Sequence, residues 1–214
     1  MIKLNNFFRP TSLDEIVGQP IHQLSTMMTK PRQSCWMLEG PPGTGKTVTA
    51  KVVADILGCS PDEHYSGYYH RPCGSFGIDD AKQLFYQQMQ MRTTSGWHLL
   101  ILEECERLSP QVQIFLKDAL DPETNMPSQL VVIGTSNNTS NLDEALLERF
   151  RVIQFSGGQD FANACHQRIA DKWLTATGDP PPAGFKKWGW RGERFSMRLA
   201  IQQAENELQE LISM

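Results

Sequence analysis

The sequence predicts an α/β fold in which helices flank a central parallel sheet, followed by a small α-helical lid domain. Three observations predict it. A short apolar run, 35–38, leads through a glycine-rich loop into an amphipathic stretch, 48–57. Further apolar runs at 99–102 and 130–137 have the length of buried strands, and strands that alternate with helices favour a parallel sheet. The last part of the chain, 157–214, carries two helical patterns after a pair of glycines.

Composition limits the class of protein. The chain has 214 residues, of which 40% are hydrophobic and 21% charged, as expected for a globular protein with a real core. It has no apolar run long enough to cross a membrane, and its first fifteen residues lack the apolar region of a signal peptide, so we expect no secretion. Five scattered cysteines do not make a disulfide framework. We therefore expect a cytoplasmic protein, or a nuclear one in a eukaryote, with no membrane partner. The net charge of −4 indicates no global attraction to nucleic acid.

The glycine-rich loop reads GPPGTGKT at 40–47 and matches G-x-x-x-x-G-K-[ST] between a strand and a helix. Glycines let successive backbone N–H groups turn toward one phosphate chain, and the following helix adds its positive end. Lys46 is expected to reach the β- and γ-phosphates of ATP, and the Thr47 hydroxyl to ligate Mg²⁺. The predicted ATP-binding residues of this P-loop are Pro42, Gly43, Thr44, Gly45, Lys46, Thr47 and Val48.

Two acids end the apolar run at 99–102. Ligands of open α/β sheets bind outside the carboxyl ends of the strands, so Glu103 and Glu104 are expected to face the P-loop. This is a Walker B pattern, in which the first acid orients Mg²⁺ and the second polarises the attacking water. The first acid is ordinarily Asp. Because Glu103 is one methylene longer and Mg²⁺ demands near-ideal octahedral geometry, we expect ATP binding to persist and turnover to be slow.

Polar groups also follow the next strand, 130–137. An amide there, Asn137 or its neighbour Asn138, is a candidate site residue because this strand end is expected beside the two acids. A short helix, 141–149, ends in Arg149. An arginine at the end of a helix ordinarily compensates the helix dipole.

The helix predicted at 108–121 begins with Ser109 as its N-cap and Pro110 in its first turn. Neutral polar groups, Ser109, Gln111 and Gln113, occupy that first turn. They are candidates for contact with DNA phosphate or for an ordinary solvated face.

Four potential zinc ligands lie between 59 and 73: Cys59, His64, His70 and Cys73. Their spacing contains none of the close cysteine pairs of typical zinc sites. We prefer a second strand through Tyr68–His70, followed by a helix over 79–91.

The lid is predicted to consist of two helices, 160–177 and 195–213, with the core covering 1–156 and the lid 157–214. Leu199, Leu208, Leu211 and Ile212 are expected to face inward. Between the helices lies a basic and aromatic stretch that includes Lys186, Lys187, Trp188, Trp190, Arg191 and Arg194. We interpret it as lid core with a solvated rim, or as a surface that stacks on and neutralises nucleic acid.

With these motifs in their order, the chain resembles an AAA+ ATPase. Within that family it is most similar to clamp-loader small subunits of the replication factor C type. Four stretches carry the similarity: RPTSLDEIVGQ at 9–19, GID at 77–79, LSPQVQIFLKDAL at 108–120, and FSMRLAIQQAE at 195–205. Loaders have Ser-Arg-Cys where this chain has Glu148-Arg149-Phe150. The collar domain that joins loader subunits is expected to be absent, because the sequence stops at Met214.

The resemblance implies further site residues. The backbone of Val17 and Gly18 would contact adenine, and the Asn137 amide would bridge the γ-phosphate and the attacking water. Arg198 would contact the γ-phosphate from the lid. Arg149 would reach into the site of a neighbouring subunit in a ring or spiral.

The resemblance also implies a function: an ATP-hydrolysing, oligomeric, DNA-associated motor or switch of the clamp-loader kind, in replication, repair or transposition. Its partners would be like subunits, DNA, and a sliding clamp or other protein client. The alternatives are a remodeller of protein clients that needs no DNA, and an ATP-bound scaffold that scarcely turns over.

Overall fold

The protein is described by a computed structural model that covers residues 7–63 and 65–213, with side chains up to residue 211. A five-stranded parallel sheet forms its centre, in the order β2-β3-β4-β1-β5. The strands are β1 (Ser34–Glu39), β2 (Tyr68–Pro72), β3 (His98–Glu103), β4 (Leu130–Ser136) and β5 (Arg151–Gln154). All four pairs of neighbouring strands are parallel, which confirms the predicted sheet.

Strand register brings the polar ends of the strands to one edge. Glu39 of β1 lies opposite Ser136 of β4, and Glu103 of β3 opposite Pro72 of β2. Since every strand runs the same way, the loops that follow β1, β3 and β4 converge at this edge. That edge is where open α/β sheets bind ligands.

Helices cover both faces of the sheet. They are α1 (His22–Met28), α2 (Lys46–Leu57), α3 (Ile78–Tyr86), α4 (Pro110–Ala119) and α5 (Glu144–Leu147). One buried apolar cluster packs α3, α4 and α5 on one face, and another packs α1 and α2 on the opposite face. Strands β3 and β4 are buried on both faces, which explains why their sequences are continuous apolar runs rather than alternating ones.

The C-terminal part is largely helical, as predicted. It contains α6 (Gln159–Thr177) and α7 (Met197–Ser213), and between them a two-stranded antiparallel hairpin of β6 (Trp190–Arg191) and β7 (Arg194–Phe195) that the sequence did not predict. Its apolar cluster also takes in Phe8 from the N-terminal segment. The division of the chain at residue 156 stays a prediction.

An ion-pair cluster also ties the N-terminal segment to α6. Glu15 lies 3.2 Å from the Arg168 guanidinium and 3.5 Å from the Lys172 ammonium. Partial burial raises the pKa of Glu15, but the backbone N–H of Thr11 and the two cations outweigh it and lower the pKa to about 2. Glu15 is therefore ionised at ordinary pH and anchors α6.

Three helix predictions differ from the structure. The helix predicted at 141–149 is shorter, because α5 spans only Glu144–Leu147. The pattern at 79–91 predicts one helix, but α3 ends at Tyr86 and a separate 3-10 turn follows over Gln88–Gln90. Leu211 was expected to face inward, yet 54% of it is exposed, while Leu208 is buried as expected. The side chain of Ile212 lies outside the described residues.

The second strand, β2, is where the sequence placed it. Three of the zinc candidates are described: Cys59 is buried beyond the end of α2, His70 approaches Glu103, and Cys73 packs against a second buried cysteine. Among the described residues no three metal-ligating side chains converge. His64 lies outside the described residues. Within residues 7–63 and 65–213, no helix is both long and apolar enough to cross a membrane.

Candidate active site

A cavity of about 540 Å³ opens at the carboxyl edge of the sheet, between the core and the lid. It collects most of the predicted site residues from segments far apart in sequence. Those lining it are Val17, Pro42, Gly43, Thr44, Gly45, Lys46, Thr47, Val48, Glu103, Glu104, Asn137 and Arg198. Two predicted residues, Gly18 and Arg149, are not among the lining residues.

The P-loop has the backbone conformation that a phosphate cradle requires. Gly43 and Gly45 have φ values of 80° and 99°, in the left-handed region that favours glycine. Gly45 precedes the first residue of α2, so the free N–H groups of that helix face the loop. Together with the lysine that follows, this arrangement fits the triphosphate of a nucleotide.

Lys46 is buried beneath the loop, with 9% of its surface exposed. Its ammonium donates to the carbonyl of Gly40 at 2.5 Å, to that of Pro41 at 2.8 Å, and to Oδ1 of Asn137 at 3.2 Å. Burial is the main cause that lowers the pKa of Lys46 to about 8. Negative charge delivered into the cavity would be the natural counter-ion for this cation.

The two acids at the carboxyl end of β3 have different surroundings. Glu103 is half-buried, and its Oε2 lies 3.0 Å from Nε2 of His70 on the neighbouring strand. Glu104 is exposed, has a left-handed backbone with φ of 59°, and pairs with Arg107 at 3.1 Å. A non-glycine residue in this conformation costs of order 1–3 kcal/mol, and such strain clusters at functional sites.

A third acid, Glu106, holds the predicted amide in place. It accepts hydrogen bonds from the Ser136 hydroxyl at 2.7 Å and from Nδ2 of Asn137 at 2.9 Å. Partial burial raises the pKa of Glu106, but these bonds outweigh it and lower the pKa, so the carboxylate stays charged. Because Nδ2 is turned to Glu106, Oδ1 of Asn137 is turned to Lys46. Sequence analysis missed Glu106, although a third acid three residues after a Walker B strand was a signal.

Replacing Glu106 with glutamine is expected to lower the rate of ATP hydrolysis by roughly 10- to 100-fold with little change in ATP affinity. Glutamine keeps one acceptor oxygen but presents an NH₂ group to the donors of Ser136 and Asn137, so the Asn137 amide loses its fixed orientation. The measurement is kcat and KM for ATP. Glu63→Gln, an exposed glutamate in a loop, is the matched control. Equal loss of affinity and rate would show that Glu106 merely supports the fold.

Oxygen ligands for Mg²⁺ are present in the cavity. The Thr47 hydroxyl and the Glu103 carboxylate both line it, and hard oxygen donors are what Mg²⁺ takes in phosphate sites. The residues therefore fit a magnesium–nucleotide complex.

The lid closes the cavity through contacts with the P-loop. The backbone N–H of Met197 donates to the carbonyl of Gly43 at 2.9 Å, and Ser196 packs so closely that a Cβ at Gly43 would collide with it. Arg198, one residue further along α7, lines the cavity. The first two residues of α7 thus bind the P-loop and place a positive charge at the cavity.

The two predicted residues outside the lining have other contacts. Gly18 has φ of 65°, and a Cβ added at this position would lie only 3.1 Å from Phe161 of α6. Its close approach therefore serves the contact with the lid. Arg149 follows α5, where its Nη2 pairs with Asp121 at 3.0 Å and its Nε has no hydrogen-bond partner in the described residues.

The structure corrects one sequence expectation about α4. Gln113 was a candidate for DNA contact, but it is buried. It donates to the carbonyls of Leu108 and Asn141 and accepts from the N–H of Asp143. Ser109 caps α4 as predicted, by accepting from the N–H of Val112.

Comparison with known proteins agrees with this geometry. The STICHEL-like 2 protein of Arabidopsis thaliana is 29% identical over 181 residues, which cover 72% of this chain and 20% of that protein. Replication factor C subunit 3 of Blastobotrys adeninivorans is 25% identical over 189 residues, covering 84% of this chain and 52% of the relative. This chain thus spans from about a fifth to about half of the length of these relatives.

Among solved structures, the RuvB Holliday junction branch migration motor of Thermotoga maritima has the same fold. The TM-score is 0.70 at 19% identity, over 97% of this chain and 68% of that one. A family model described as the ATPase family associated with various cellular activities (AAA) matches residues 36–157, more than half of the chain. The chain therefore belongs to the AAA family of ATPases, within which its similarity to replication factor C fits a clamp-loader-like member.

Proposed function

We propose that this protein binds ATP with Mg²⁺ in the cavity at the carboxyl edge, hydrolyses it, and works as a DNA-associated motor or switch in an assembly of like subunits. One observation carries the proposal. A single cavity gathers the P-loop, the two acids at the carboxyl end of β3, the amide after β4 and an arginine from the lid. These are the groups that bind a triphosphate, activate a water and read the state of the γ-phosphate.

Each residue has a defined task in this proposal. Lys46 neutralises the β- and γ-phosphates, and Asn137 orients the attacking water beside the γ-phosphate. Glu104 polarises that water, which requires it to leave Arg107. Since both partners of that ion pair are more than half exposed, separating them costs about 0–1 kcal/mol. Mg²⁺, held by Thr47 and Glu103, would add positive charge beside the phosphates.

The length of Glu103 supports the further proposal that turnover is slow. Its Oε2 lies 3.0 Å from Nε2 of His70 on the neighbouring strand. A carboxylate that is one methylene longer than that of Asp is displaced from the position that octahedral Mg²⁺ geometry requires of Asp.

The DNA-associated role is supported by the kind of protein that this chain resembles. The name of one similar protein refers to replication, and the name of a structural neighbour refers to branch migration of a Holliday junction. The site itself serves a remodeller of protein clients equally well, so DNA dependence has to be measured.

We expect duplex or primed DNA to raise the rate of ATP hydrolysis, and the increase to fall with added salt.

Glu104→Gln should retain ATP and lose hydrolysis with or without DNA, because an amide does not accept the proton of the attacking water. The measurements are phosphate release with and without DNA, and nucleotide retention by the variant. Hydrolysis by the wild type that DNA leaves unchanged at low salt would favour the protein-client alternative.

A further inference from the structure

Basic charge is concentrated in one part of the lid. The stretch 186–198 holds five basic residues and one acidic residue, a local charge of +4, whereas the whole chain carries −4. Thus the rest of the molecule is acidic, and a polyanion approaching the protein meets attraction here.

The hairpin within this stretch presents its charge outward. Trp190 pairs with Phe195, and Arg191 pairs with Arg194, directly across the two strands. Residues that face each other in an antiparallel pair project to the same side of the ribbon. Phe195 is buried in the lid core, so the two arginines project from the other side, and both are exposed.

This arrangement costs stability. Like charges directly opposite each other on a ribbon repel, and no acid among the described residues forms an ion pair with either arginine. Within residues 7–63 and 65–211, neither Arg191 nor Arg194 forms an ion pair or a side-chain hydrogen bond, and the same holds for Lys186 and Lys187. By contrast, the lid cations Arg168 and Lys172 are fixed by Glu15.

The residues that directly follow the hairpin contact the P-loop. The hairpin's last residue, Phe195, is followed by Ser196 and Met197, which contact Gly43 of the P-loop. A ligand that shifts the hairpin therefore acts two residues away from the lid contact with the P-loop.

We propose that the β6–β7 hairpin, through Arg191 and Arg194, binds the phosphate backbone of nucleic acid. This inference rests on the proposed function and assigns its DNA contact to a surface. Guanidinium groups match phosphate oxygens bidentately and stay charged at every accessible pH. Two of them side by side, with no ion-pair partner in the described part of the chain, suit consecutive negative charges along one strand. We expect this binding to be independent of the nucleotide sequence, because phosphate contacts carry no information about the bases.

The test is DNA binding by fluorescence anisotropy with a slowly hydrolysed ATP analogue, at several salt concentrations. The double variant Arg191→Gln/Arg194→Gln should bind about tenfold more weakly, and its salt slope should be smaller by about two. DNA stimulation of ATP hydrolysis should fall with it, while hydrolysis without DNA stays unchanged.

The matched control is Arg32→Gln/Arg92→Gln. It removes the same charge from two exposed arginines at the amino ends of β1 and β3, away from the cavity. If the wild type binds DNA and both double variants bind it equally well, the hairpin assignment is wrong while the proposed function stands. If the wild type binds polyglutamate but no DNA at low salt, both the nucleic-acid surface and the DNA role fail.

Discussion

Replacing Lys46 with alanine is expected to weaken ATP binding by roughly a hundredfold or more while leaving the fold intact. The ammonium is buried and has three acceptors within hydrogen-bond distance, which fix the side chain in the cavity. Removing a charge from a desolvated phosphate site typically costs 2–5 kcal/mol or more, which is the stated loss of affinity.

The measurement is equilibrium titration with a fluorescent ATP analogue in the presence of Mg²⁺, alongside thermal unfolding of each variant. Lys82→Ala is the matched control, because Lys82 is an exposed lysine on α3 that does not line the cavity. Nucleotide affinity that is the same in Lys46→Ala as in the wild type would contradict the assignment of the P-loop.

Much of this site follows from local sequence. The P-loop spacing identifies Lys46 and Thr47 because the motif fixes both the backbone path and the first turn of α2. The apolar runs identify β3 and β4 because strands that are buried on both faces have no polar alternation. Glu103 and Asn137 then reach the same edge by the geometry of parallel strands alone.

Other features depend on tertiary contacts that no local pattern specifies. Glu106 matters because the turn after β3 lies next to the end of β4, where it meets Ser136 and Asn137. The contact of His70 with Glu103 likewise needs the register between β2 and β3. These contacts become visible only when the strand order is known.

Some signals were present in the sequence but were not used. Gln113 precedes the buried Leu116 by three positions, so helical spacing places it on the inner side of α4. The lid hairpin has strands of only two residues, which are too short for a periodic pattern to reveal. Its turn does contain a glycine, Gly192, whose φ is positive in the structure.

The second large effect concerns Arg149. Arg149→Ala is expected to bind ATP normally and to hydrolyse it roughly 10³- to 10⁵-fold more slowly, the range measured for arginine fingers in GTPases. In this subunit the guanidinium lies outside the cavity, so it contributes to no phosphate contact of its own chain. Its ion pair with Asp121 fixes the guanidinium beyond the end of α5, where we propose that a neighbouring subunit meets it.

Loss of the Asp121 ion pair has to be separated from loss of the finger. Asp121→Asn removes the same ion pair and keeps the arginine, so it serves as the matched control. We expect Asp121→Asn to retain most hydrolysis. The measurements are the dissociation constant for ATP, the rate of phosphate release and the temperature of unfolding for both variants. Equal loss of hydrolysis in the two variants would mean that the arginine acts only through the fold.

The most direct test of the shared site is to mix Arg149→Ala with Lys46→Ala and measure phosphate release at concentrations that span assembly. Each variant alone lacks one half of every site. In a mixed assembly, the Lys46→Ala chain supplies an intact Arg149 to the intact P-loop of its neighbour. The account predicts that the mixture hydrolyses ATP well above the sum of the two variants alone. A mixture no more active than that sum, with wild-type hydrolysis per subunit independent of concentration, would contradict it.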